Sequence, residues 1–124
     1  MYWIIGRNSK LNLRNKRLIY NQIIKPIWTY GIQLWGCTKP SNRLIIQRVQ
    51  NKCLRSITGA YWFERNEDLH SDLDIPTVEE VIRCFAGKHE KRLHSHPNQE
   101  ALDLLLFDQD IRRLKRSKPH ELAT

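Results

Sequence analysis

The chain has 124 residues, 40% of them apolar and 27% charged, which is the size and composition of one soluble globular domain and too little for two well-separated ones. No run approaches the roughly 18 apolar residues that cross a membrane, the start MYWIIGRNSK lacks the apolar stretch of a secretory leader, and three scattered cysteines make neither a disulfide framework nor a zinc site. The net charge of +8 and the cysteine usage point to an intracellular protein, nuclear or cytoplasmic, with a polyanionic partner.

The first helix is expected from Leu11–Asn12 to Ile24. Leu13, Ile19, Tyr20, Ile23, Ile24 and Ile27 share one side at 100° per residue. Lys10, Arg14, Arg17, Asn21 and Lys25 follow one another at spacings of 4, 3, 4 and 4 along the other side. Lys16 falls toward the apolar side, where its stem can reach back to water. Pro26 lacks a donor and crowds the carbonyl of Gln22, so a kink or break is expected there. A second helical stretch then runs from Pro26 to Trp35. Ser41 is the expected N-cap of a helix over Asn42–Ile57, closed by Thr58-Gly59. Its buried side is read as Ile45, Val49, Cys53 and Ile57, with Arg48, Lys52 and Arg55 on an adjacent side.

Asn66 is the expected cap of a short helix ending near Leu73. Thr77 and Glu80 make a capping box for a helix with Val78, Val81, Ile82, Phe85, His89 and Leu93 at core spacing. Gly87 inside it costs up to about 1 kcal/mol unless a neighbour packs close. His96-Pro97 ends that helix, and Asn98 caps a last short one through Leu102, Leu105 and Leu106. No alternating strand pattern occurs. The expected fold is therefore all-α, a small irregular bundle of four to six helices.

The charge is unevenly placed. Residues 1–63 hold eleven Lys or Arg and no Asp or Glu, residues 64–110 five basic and twelve acidic residues, and residues 111–124 five basic and one acidic. The chain thus divides into a basic region over 1–60, an acidic helical region over 61–111 and a basic tail over 112–124, with 1–111 expected as one unit. Solvated surfaces usually mix signs, so an acid-free half points to nucleic acid.

Signals for catalysis are weak. Asp72 and Asp74 read as a helix end and a loop, and Glu79 and Glu80 as first-turn residues facing the helix dipole. Cys84, His89 and His94 are each five apart and cannot close a metal site on a helix. No phosphate-cradling glycine loop and no nucleophile elbow occurs, so neither metal nor cofactor is expected. Gly31 and Gly36, set among aromatics, read as turn or close-packing residues. Trp3, Tyr20, Trp28, Tyr30, Trp35, Tyr61, Trp62 and Phe63 are read as core in preference to base-stacking residues. The basic stripes are the stronger signal.

In the stretch NKRLIYNQIIKPIWTYGIQLWG, the pattern Lys16, Tyr20, Ile23, Lys25-Pro26, Tyr30-Gly31 and Leu34-Trp35-Gly36 resembles the thumb of reverse transcriptases of non-LTR retrotransposons, most closely the jockey clade. The resemblance continues through IIQRVQNKCLRSITGA, IPTVEEVI, the HPN at 96–98 and RRLKRSKPHEL, from about Tyr2 to Leu122. It implies a thumb and C-terminal fragment of an RNA-directed DNA polymerase, packed on a primer–template duplex beside a palm. The palm's YxDD-type aspartate pair has no counterpart in this sequence, so no polymerase activity is expected of the chain alone. The implied partners are the RNA or DNA backbone, with the palm or a second copy against its apolar surface. The residues expected to hold phosphates come from stripe geometry alone: Lys10, Arg14, Arg17 and Lys25 on one ridge, and Arg48, Lys52 and Arg55 on a second. An independent basic helical DNA- or RNA-binding protein, or an inactive remnant serving as an interaction module, is the alternative.

Overall fold

The computed structural model describes residues 2–106 and 118–123. Among these every regular element is helical and none is a strand. Most of the basic run from Arg112 lies outside the described residues.

The chain opens with a single turn, α1 (Tyr2–Ile5), which places Ile5 in the core while Trp3 stays outside. Asn12 then caps α2 (Leu13–Ile19), its side chain accepting from the Asn15 amide at 2.8 Å. Lys16 is buried rather than reaching for water. Its Nζ donates to the Gly6 carbonyl at 2.9 Å and ties the loop after α1 onto α2.

Pro26 breaks nothing. Tyr20–Ile24 form a π-helical turn, in which the Lys25 amide reaches the Tyr20 carbonyl, and α3 (Lys25–Thr29) continues from it. The wider turn takes up the geometry at the missing donor of Pro26 without ending the rod. It also inserts one extra residue, so faces beyond it rotate by about 100° relative to a uniform α-helix. That rotation explains why Tyr20 and Ile24 are buried while Ile23 and Ile27 are exposed; Leu13, in the first turn of α2, is exposed as well.

The stretch expected to run unbroken to Trp35 is interrupted. Tyr30 leaves helical geometry and Gly31 takes φ +65°, starting α4 (Ile32–Trp35) in a new direction. A side chain at Gly31 would have space, so the positive φ is what calls for glycine there. Gly36 has the other role. A Cβ there would come within 2.5 Å of the Ile32 carbonyl and against Ile82 and Leu122.

Helix α5 (Pro40–Thr58) starts at Pro40, with Lys39 as its cap residue, so Ser41 is inside the first turn and not the N-cap. Proline is preorganised for the first helical position, where its missing amide has no partner to lose. Gly59 at φ +64° ends it as expected. The buried face of α5 carries Gln50, Cys53, Leu54 and Ile57, while Ile45 and Val49 are about half-exposed. Beyond lie α6 (Asn66–Leu73), α7 (Val78–His94) and α8 (Gln99–Leu106). The cap of α6 is Arg65 rather than Asn66, whose Oδ1 is taken by the Arg55 guanidinium at 3.1 Å. The Thr77–Glu80 capping box is present in both directions, and the Asn98 side chain accepts from the Glu100 amide at 3.0 Å. A 3-10 turn over Pro119–Ala123 docks on α7.

Two clusters make the core. One joins Ile5, Tyr20, Ile24, Cys53, Leu54, Ile57, Leu69, Leu73 and Ile75. The other joins Ile32, Val78, Val81 and Ile82, with Leu122 against it. Trp28 packs on both. The first cluster draws on residues before and after position 60, so the charge boundary is not a packing boundary.

Candidate nucleic-acid interface

The helices position the expected cations unequally. Lys10 precedes the Asn12 cap and is exposed on the loop before α2. Arg14 is exposed on α2. Arg17 is spent partly inside the molecule: its Nη2 donates to the Asp74 carbonyl at 3.3 Å and lies 3.5 Å from the Asp74 carboxylate. Asp74 closes α6 in a left-handed conformation, φ +51°, so Arg17 braces a helix end. Lys25 lies past the π turn, at the start of α3, and is half-buried.

On α5, helical spacing puts Arg48 and Lys52 opposite the buried Gln50, Cys53, Leu54 and Ile57, and both are exposed. Arg55 is committed elsewhere. Besides Asn66, it donates to the carbonyls of Tyr61, at 2.9 Å, and Glu64. The structure thus leaves Lys10, Arg14, Arg48 and Lys52 at the surface. It makes Arg17 and Arg55 internal braces as well as charges. Nothing in one dimension indicates that Arg17 meets Asp74, 57 residues away.

The aromatics differ most from the sequence expectation. Tyr20 is fully buried, and Trp28 and Trp35 meet edge-to-face at 6.3 Å. Trp3, Tyr30, Tyr61, Trp62 and Phe63 are exposed, Trp62 to 90%. Tyr61-Trp62-Phe63 is a run of three rings just after the Gly59 cap, where no helical period can turn them all inward. That was the available signal.

A polar network that periodicity could not reveal lies between α5 and the α6–α7 loop. Gln50, buried, donates to the Tyr20 hydroxyl at 2.9 Å and the Pro76 carbonyl at 2.8 Å. Gln47 accepts from the Val78 amide and donates to Gln50 and Asn51. His70 Nδ1 faces the Ile75 carbonyl at 2.8 Å, which fixes the proton on that nitrogen. Burial pushes the Tyr20 phenol above its ordinary range, against the pull of Gln50. Every one of these groups serves another, and the arrangement is structural.

The acidic residues do likewise. Glu79 pairs with Arg43 at 3.2 Å, and Glu80 belongs to the capping box. No group of three or more His, Cys, Asp or Glu that could hold a metal occurs among the described residues. None of the described helices is long and apolar enough to cross a membrane.

A chain whose described elements are all helical, with an acid-free, cation-bearing first half, is similar over nearly its whole length to RNA-directed DNA polymerases of transposable elements. It is 43% identical over 123 residues to the probable RNA-directed DNA polymerase from transposon X-element of Drosophila melanogaster, and 41% identical over 114 residues to that from transposon BS of the same fly. It is 38% identical over 130 residues to the RNA-directed DNA polymerase from mobile element jockey of Drosophila funebris. These alignments cover 92–99% of this chain but only 12–14% of each relative, so the chain spans a short stretch of the polymerases it matches. No protein-family model matches it, and no solved structure does.

Proposed function

We propose that this chain is the thumb and adjoining C-terminal part of a retrotransposon RNA-directed DNA polymerase, and that it grips the nucleic-acid backbone without itself making DNA. The similarity along nearly the full chain to a short stretch of such polymerases carries the reading. The exposed cations supply the mechanism. Arg14 on α2 and Arg48 and Lys52 on α5, with Lys10 on the loop before α2, neutralise phosphates and release condensed counterions, while Arg17, Lys25 and Arg55 add positive charge to the field around them. Such contacts position a duplex and carry no direct sequence code. The half-exposed Leu44, Ile45 and Val49 lie among Arg48 and Lys52 on the outer side of α5, so the palm or a second copy is expected against other apolar surface, such as the exposed Trp3.

The test is salt-dependent duplex binding. Replacing Arg14, Arg48 or Lys52 singly by Gln is expected to lower the slope of log K against log salt by about 0.9 each, equally for unrelated sequences. Replacing Arg83 and Lys88, from the acidic region, is the control. If ridge and control variants behave alike, the cations are only a solvated surface and the reading fails. Primer extension on an RNA template is expected to show no incorporation. Activity lost on mutating Asp72 or Asp74 would overturn the non-catalytic assignment.

A further inference from the structure

The exposed rings are held, not loose. Tyr61 and Phe63 stack with planes 3° apart and centroids 5.5 Å apart, and Trp62 stands edge-on to Phe63 at 5.9 Å and 84°. The backbone beneath them is fixed from two sides. Arg55 donates to the carbonyls of Tyr61 and Glu64 and to the side chain of Asn66, which spans the turn from end to end. Arg7 donates to the Gly59 carbonyl at 2.8 Å and lies over the Tyr61 ring, 6.0 Å from its centroid. Trp62 is left with open faces at 90% exposure.

We propose that Tyr61, Trp62 and Phe63 form a stacking platform for unpaired nucleotide bases, with Arg7 beside it, and the exposed Arg65 two residues past Phe63, to meet the phosphates. The inference rests on the gripping reading and extends it, since the ridges hold a duplex and the platform takes single-stranded nucleotides. Three features favour bases over an apolar protein surface. The segment leading into the platform, residues 1–63, contains no acid to repel a phosphate chain. Arg7 is exposed and uses one of its five N–H groups on Gly59, leaving donors for a phosphate. The rings are preorganised by guanidinium bonds to main-chain carbonyls, so stacking a base need not order the loop first. The first carboxylates, Glu64 and Glu67, follow the rings in the chain and line a pocket with Arg55, Arg65 and Asn66.

The experiment compares a blunt duplex with the same duplex carrying a single-stranded overhang, using the full chain. Trp62→Ala is expected to weaken overhang binding roughly ten-fold and to leave blunt-duplex binding and its salt slope unchanged. Trp62→Phe, which keeps a π face, is expected to restore most of the loss. Circular dichroism of both variants checks that the fold is intact. Equal losses on the two substrates, or no loss on either, overturn the platform. So does a Trp62→Ala variant that binds nucleic acid normally but has lost self-association, because the rings then contact protein. If the unaltered chain binds neither substrate, the gripping reading and the platform fall together. If the ridge variants keep the full salt slope while Trp62→Ala loses overhang binding, the platform stands and the ridges fall.

Discussion

The amide of Gln50 donates to the hydroxyl of Tyr20 at 2.9 Å, and both residues lie almost wholly out of water. One bond thereby joins the middle of α5 to the π turn, and a second, from the same nitrogen to the Pro76 carbonyl, joins both to the loop before α7. Gln50→Leu removes the donor from the buried Tyr20 hydroxyl and from the part-buried Pro76 carbonyl, and an acceptor from Gln47, and is expected to lower stability by about 2–4 kcal/mol. Tyr20→Phe leaves Gln50 its bond to Pro76 and is expected to lose about 1 kcal/mol. Urea denaturation of the two variants and their double mutant checks both values. An additive pair would mean the bond contributes nothing.

Lys16 sits in the same part of the molecule with its amine on the Gly6 carbonyl. Lys16→Met keeps the stem and removes the donor, and is expected to lose about 1–2 kcal/mol. Arg14→Met, two residues earlier and exposed, is expected to stay within about 0.5 kcal/mol of the unaltered chain. Chemical denaturation separates the buried lysine from the surface arginine.

Gly87 lies inside α7, and a Cβ there would meet no atom within 4 Å. No neighbour packs close, so the helix carries the entropy of the glycine without return. Gly87→Ala is expected to stabilise by roughly 0.5–1 kcal/mol. An unchanged or lowered midpoint in urea would contradict that.

His89 is held below its ordinary value of 6.5, by burial first and then by Arg92 and by His120 on the terminal 3-10 turn. Its folded value is depressed, so its contribution to stability is complete above about pH 6.5 and is lost as pH falls through the folded value. The contact between α7 and the turn over Pro119–Ala123 is expected to loosen first under acid. Amide exchange of Glu121 and Leu122 followed downward from neutral pH measures this, and His89→Gln is expected to flatten the response.

How much of this was legible depended on whether a signal was local. The Thr77–Glu80 box, the Gly59 stop and the all-helical class follow from residues within one turn of each other, and each appears where expected. The kink or break expected at Pro26 does not occur, and a π turn stands in its place. That outcome was not legible, because a π turn and a kink place the same demand on sequence and differ only in what the core requires of Tyr20 and Ile24. The partners of Arg17 and Gln50 come from distant segments, so no window around either residue contains the reason for its burial or its bond. The aromatic run at 61–63, expected in the core on ring size, is exposed because interior position depends on neighbours that this loop does not have.

The surplus residue in the π turn has a mechanical meaning for Trp28, which packs against both core clusters. It acts as a phase setter between two lengths of one rod: α2 is registered by Lys16 and Tyr20, and α3 is registered by Trp28. Deleting one residue from the turn would restore an even helical stripe and rotate Trp28 by about 100°. The indole would leave the seam, and the two clusters would lose the side chain they share. The regular helix would be the less coupled protein, with Gln47, Gln50 and Arg43 left to join α5 to the start of α7.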